Sequence, residues 1–179
     1  MFRPRLVALI SVILAASLSR LLPHPPNMTS VAAVALFGGA YFSDRRLAFL
    51  VPLAALFLSD LFLGFYGHME VQYLSFALIV CIGLWLGKDR SALKIAAAAL
   101  ASSVLFFLLT NFGVWAFASL YPRTLAGLMD CYIAAIPFFR NTLQGDLLYT
   151  AILFGGFALL ERRFSVLRES TVRSDLSSA

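Results

Sequence analysis

Charge is scarce in this 179-residue chain. Only 13% of its residues are Asp, Glu, Lys or Arg and 61% are hydrophobic, whereas a soluble domain carries about 25% charged and about 45–50% apolar residues. The deficit excludes a water-soluble fold and marks an integral membrane protein. Other absences narrow the chemistry. There is no GxSxG elbow, no HExxH helix and no CxxC pair, so nothing supports a redox carrier or an intramembrane metalloprotease. No Walker A loop occurs, and the length leaves no room for an ATPase domain. The two cysteines, Cys81 and Cys131, stand fifty residues apart, which does not indicate a disulfide. The two histidines, His24 and His68, fall in polar loop sequence and read as solvated before they read as ligands. A net charge of +5 would suggest nucleic acid in a soluble protein. Here the basic residues sit at the ends of apolar runs, where they orient a chain in lipid instead.

What is present is a series of apolar runs. The central one, 71–87, has seventeen residues without a formal charge between Glu70 and Lys88. That is just long enough to cross a hydrocarbon core of about 30 Å as a helix. At about 1.5 Å per residue, Cys81 lies roughly 15 Å in from Val71, at mid-depth. Upstream, Arg3 and Arg5 precede a run over 6–18, which reads as a first membrane helix or as a signal peptide with Ala15-Ala16-Ser17 as cleavage region. Ser11, Ala15 and Ser19 recur every fourth residue, a stripe suited to close helix approach. Pro23-His24-Pro25-Pro26-Asn27 cannot continue a helix.

A short second span is predicted over 29–42, and a third over 47–65 with Pro52 and Asp60 inside it. The fifth, 92–118, is Ala- and Ser-rich at first, then carries Phe106, Phe107, Asn111, Phe112 and Trp115. The segment 124–139 contains Asp130, Cys131 and Pro137 and is expected to be a short interfacial or re-entrant helix. A last span covers 141–160, with Gln144 and Asp146 near its start. The expected fold is all-α: one transmembrane domain of six helices over 1–160, then a polar, loosely ordered cytoplasmic tail over 161–179.

With the amino terminus placed in the cytoplasm, eleven of the fourteen basic residues fall on the inner side. Arg20, Arg123 and Arg140 are the three outside. The positive-inside rule therefore selects both termini inside. The same topology gathers Asp60, Asn111, Gln144, Asp146, Arg20 and Arg140 in the outer half. Ionisable groups at membrane depth are costly and face a cavity or a partner. Two readings stay open: an outward-facing pocket, or structural pairing of Asp60 or Asp146 with Arg20 or Arg140.

The segments PHPPNMTSVAAVALFGGAYFSDRR, AFLVPLAALFLSDLFLGFY, TNFGVWAF and YPRTLAGLMDCYIAAIPFFRNTLQGDLLYTAILFG resemble a family of small bacterial membrane proteins. That family is related to the substrate-binding S components of energy-coupling-factor (ECF) vitamin transporters. The likeness covers about 20–160, and a cysteine placed like Cys81 resembles the BtuM-type cobalamin transporters.

The resemblance implies a six-helix S-component bundle in a bacterial inner membrane, taking up cobalamin (vitamin B12) through an outward-facing pocket. It implies Cys81 as the axial thiolate ligand of the cobalt, a soft donor suited to that metal. Slow removal of cyanide from cyanocobalamin would make Cys81 catalytic as well. Tyr66, Tyr73 and Trp115 would then cover the macrocycle, and Asp60, Asn111, Arg140 and Asn141 would meet its amide rim. Ser11, Ala15 and Ser19 replace the alanine stripe of S components that dock on a shared coupling subunit, so no dedicated ATPase module is expected. The competing expectations are a binder of another vitamin, flavin or thiamine, working with an ATPase module, and a structural membrane protein without a small ligand.

Overall fold

The sequence VAAVALFGGAY over 31–41 has no polar face, and a helix that is apolar all round must be enclosed. In the computed structural model, which describes residues 3–168, this helix, α2 (Val31–Tyr41), is buried at every residue. Five longer helices surround it: α1 (Pro4–Leu18), α3 (Arg45–Leu63), α4 (Met69–Leu86), α5 (Ala92–Phe117) and α6 (Leu125–Thr150). A π-helical turn, Ala151–Gly155, continues α6 into α7 (Gly156–Arg163). No strand occurs among the described residues.

Five helical runs are long and apolar enough to cross a membrane: Pro4–Leu21, α3, α4, α5 and the joined run Leu125–Arg163. Two sequence expectations change here. The span predicted over 29–42 shortens to α2, whose eleven residues reach only about 16 Å. The surrounding helices shield it, so it need not match the bilayer. The re-entrant helix expected over 124–139 is instead the first part of α6, continuous with the run predicted over 141–160. Pro137 lies inside the helix; proline removes one backbone donor, and in apolar helices neighbouring groups make good the loss. At 39 residues the joined run is about 58 Å long, well beyond a core of about 30 Å. Its first half pairs with the second half of α5. Phe107 packs on Tyr132 and Phe139, and the Tyr132 hydroxyl donates to the Leu108 carbonyl at 2.8 Å.

The helices α2 and α4 cross in close contact. A Cβ on Gly39 would strike the Val80 carbonyl oxygen and lie 2.9 Å from the Gly83 Cα, and one on Gly83 would strike the Leu36 carbonyl oxygen. Two glycines facing each other let the backbones touch, and neither position has room for a side chain. On α1, Leu9, Ile13 and Ser17 face the core, while Ser11 and Ala15 of the small-residue stripe are exposed.

At one end of the bundle Arg5 joins α1 to α7 and the turn that follows it. Its Nη1 donates to the Glu161 carboxylate and to the Leu167 carbonyl. The guanidinium also lies 5.8 Å from the Tyr41 ring centroid and 5.7 Å from that of Phe157. Arg90 covers Tyr41 at 4.0 Å. Residues 161–168, expected as loose tail, are thus docked on the bundle; 169–179 lie outside the described residues.

Candidate functional site

Opposite that end, α1 tightens into a 3-10 turn over Ser19–Leu21 and delivers Arg20 into the bundle. Arg20 is 8% exposed, and its Nη1 donates to the Ser59 hydroxyl at 2.5 Å and to Asp60 Oδ1 at 2.8 Å. Asp60 is fully buried; its second oxygen accepts from the Tyr73 hydroxyl at 2.8 Å. Each carboxylate oxygen has a donor, and the two buried charges balance each other.

Arg20 also forms part of the wall of a cavity of about 260 Å³. Phe76 and Phe106 supply an apolar floor, their rings stacked at 5.2 Å and 23°. Ala32, at the start of α2, leaves space between them and the polar rim. His24, Asn27 and Thr29 close the cavity from above, and Asn141 Nδ2 ties their loop to α6 by donating to the Pro26 carbonyl at 3.0 Å. Gly145 lets that loop approach, since a Cβ there would lie 3.1 Å from Met28 Cα and Thr29 N. Asn27 makes the turn with a φ of 64°, a left-handed conformation that asparagine accepts more readily than most residues. On another side the Tyr66 hydroxyl donates to Gln72 Oε1. Partial burial, reinforced by the Asp60 carboxylate, pushes the Tyr66 hydroxyl up to about 12, so it keeps its proton.

Asp146 on α6 completes the wall. It is 3% exposed, and its partner is the Ser103 hydroxyl at 2.6 Å. Ser103 also lies 3.0 Å from the Ala99 carbonyl, so its one proton serves two acceptors. A carboxylate can accept about four hydrogen bonds. Asp146 therefore enters the cavity wall with most of its capacity unused and makes no ion pair among the described residues. The pairing expected of it with Arg20 or Arg140 does not form: Arg20 is engaged by Asp60, and Arg140 is exposed.

The other sequence candidates separate. Tyr66 lines the cavity, whereas Asp60 and Tyr73 stand behind Arg20 and Asn141 holds the loop. Asn111 and Trp115 belong to the α5–α6 hairpin: Asn111 Nδ2 donates to the Phe107 carbonyl at 2.8 Å, and Trp115 Nε1 donates to the Pro122 carbonyl at 3.0 Å. Cys131 is buried there with its sulfur 3.4 Å from the Asn111 carbonyl.

Cys81 does not line the cavity. It is exposed on the outer surface of α4, in an apolar groove with Ile82, Trp85 and the alanines 97, 98 and 101 of α5. The reason is helical phase: Phe76, Ile79, Val80 and Gly83 form the buried face of α4, and residue 81 falls outside it. No group of three or more His, Cys, Asp or Glu is arranged to hold a metal ion among the described residues. Sequence reasoning placed Asp146 among the polar residues of the outer half, as part of a pocket or as half of an ion pair, and missed Ser103, Phe76 and Thr142 as its company. The signal for Asp146 was its charge within an apolar segment; the others look like ordinary helix packing.

No curated protein matches the chain, and no solved structure does. The profile of one family matches residues 1–168, nearly the full length, and by that match the chain belongs to the DUF6580 family, a family of unknown function.

Proposed function

We propose that this protein is the binding component of a membrane uptake system for a small organic solute, similar in plan to the S components of ECF vitamin transporters. Its site is the cavity beneath the 23–29 loop. In that plan α2 counts as a sixth, short crossing, and both termini face the cytoplasm of a bacterial inner membrane. The observation that carries the reading is Asp146: a carboxylate 3% exposed, in a cavity wall, with a lone hydroxyl for company. A purely structural helix contact has no need of such a group, which must be paired, solvated or kept protonated because an uncompensated charge inside a membrane costs several kcal/mol.

Size selects among the vitamins. Small-ligand pockets span about 300–1,000 Å³, and about 260 Å³ lies just below that range. A thiamine-sized solute suits the cavity better than a flavin, and a corrinoid is several times too large for it. The cobalamin reading, with Cys81 on cobalt and a cyanide-removing step, rests on the resemblance. At Cys81 a macrocycle would lie in an apolar groove, with its amide rim deprived of partners at several kcal/mol for each buried group.

One experiment separates the readings. Purified protein is incubated with hydroxocobalamin for visible spectroscopy, and a parallel sample is taken to native mass spectrometry in gentle detergent. A co-purifying adduct of a few hundred daltons with no corrinoid spectral change is expected. A corrinoid band shift that disappears in Cys81→Ser would overturn the small-solute reading. The absence of any adduct, together with unchanged growth of a vitamin-requiring host expressing the chain, with or without coupling subunits, would return the protein to a structural role.

A further inference from the structure

One acidic group at the cavity has no counter-ion among the described residues. Arg20 and Asp60 neutralise each other at 2.8 Å, and Tyr73 and Ser59 complete that cluster. Asp146 remains, with no cation in contact and an apolar aromatic floor beside it. Phe106, half-buried, and Phe76, buried against it, give the cavity an aromatic wall, which attracts flat ring systems and, through the ring quadrupole, cations. We propose that the solute is a flat organic cation whose protonated nitrogen is received by Asp146 while its ring lies on the Phe76–Phe106 pair. This inference rests on the uptake reading above and adds the charge and shape of the ligand.

The physical argument is one of balance. A carboxylate inside a membrane is stabilised by an opposite charge held close and shielded from water. Of the other ionic groups of the wall, Arg20 has its charge balanced by Asp60 and its buried Nε left without an acceptor, and His24 lies exposed on the covering loop. An anionic ligand would meet Asp146 with repulsion, and Arg20, its charge already balanced by Asp60, would offer it the unbonded Nε donor but no free charge. A neutral ligand could offer hydrogen-bond donors to the carboxylate but no charge to balance it. An amidinium or aminopyrimidinium group can offer two N–H donors to the two oxygens at once.

Three probes of nearly equal size and shape test this: benzamidine, benzamide and benzoate, which differ mainly in charge. Binding to the full-length protein in detergent is read by calorimetry and by thermal shift. The expected order is benzamidine first, benzamide weaker and benzoate undetected. Asp146→Asn should weaken benzamidine by at least about tenfold while changing benzamide by less than about threefold. Ser103→Ala, which keeps the carboxylate, should retain the preference for the cation. If binding is charge-blind yet abolished by the cavity-filling Ala32→Met, the cation inference falls and the uptake site stands. If binding is insensitive to Ala32→Met, or no probe binds at millimolar concentration, both fall. A preference for benzoate would overturn the cation inference outright. Should Asp146→Asn not fold, the ranking of the three probes on the unaltered protein decides.

Discussion

The two buried acidic residues are chemically alike, and their surroundings give them different work. Asp60 has Arg20 and Tyr73 on its oxygens; Asp146 has Ser103. Removing the charge at Asp60 leaves a guanidinium buried without its counter-ion, a loss of roughly 3–5 kcal/mol. Asp60→Asn should therefore lower the unfolding midpoint in detergent sharply. Tyr73→Phe, which deletes one hydrogen bond, should cost about 1 kcal/mol. The paired replacement Arg20→Met with Asp60→Leu should recover much of the Asp60→Asn loss. If Asp60→Asn proves as mild as Tyr73→Phe, the pair is not what holds α1 to α3. At this scale the sequence was informative about kind and poor about partner. An Asp in an apolar run announces a cavity or an ion pair, but the choice between them depends on which helix stands opposite. Cys81 shows the same limit: depth followed from counting residues, while direction depended on the phase of α4 against its neighbours.

Among the elements, α2 is the clearest case of pattern dictating place. A sequence without a polar face has to be surrounded, and Gly39 against Gly83 sets how closely α4 can do so. Gly39→Ala and Gly83→Ala should each cost about 1–3 kcal/mol, because the added methyl meets backbone and no rotamer relieves it. The double variant should lose less than the sum, since one displacement of the two helices accommodates both methyls. Thermal unfolding of the three variants checks this, and strict additivity would mean that the glycines act independently. The α6 helix carries the opposite lesson. Pro137 and the polar residues around it resemble a break in the sequence, yet packing of Tyr132 and Phe139 on Phe107 keeps the helix running. Local signals placed a boundary that tertiary contacts removed. The loop above the cavity gives a functional prediction at this scale. Asn141→Ala cuts the tie to Pro26 and should raise the dissociation rate of a bound probe several-fold with little effect on unfolding. An unchanged rate would show that the loop is held by its packing on Gly145 instead.

At the level of the molecule, α1 meets α7 and the turn after it through Arg5, Glu161 and Leu167. Arg90 joins them over Tyr41. That agrees in parity with the basic-residue count, which assigned Arg5, Arg90 and Arg162 to one side and Arg20 to the other. Reporter fusions after Arg46, Arg90 and Arg163 should all register the cytoplasm, and a periplasmic signal after Arg90 would invert the arrangement of cavity and membrane. The count of crossings was legible only in part, because an eleven-residue core helix and a 39-residue continuous run both depart from the length that a bilayer suggests.

The enclosure of α2 also has an electrical consequence. From Ala32 at the cavity to Tyr41 at the opposite end, the short helix occupies about 14 Å of the path. Its buried residues between those points are apolar or glycine. A charge forced along that line would leave water for a medium of low permittivity, at a penalty of many kcal/mol. On the uptake reading, the chain alone would act as an insulator with a receptacle on one side: vesicles containing it should hold their membrane potential whether or not the receptacle is filled.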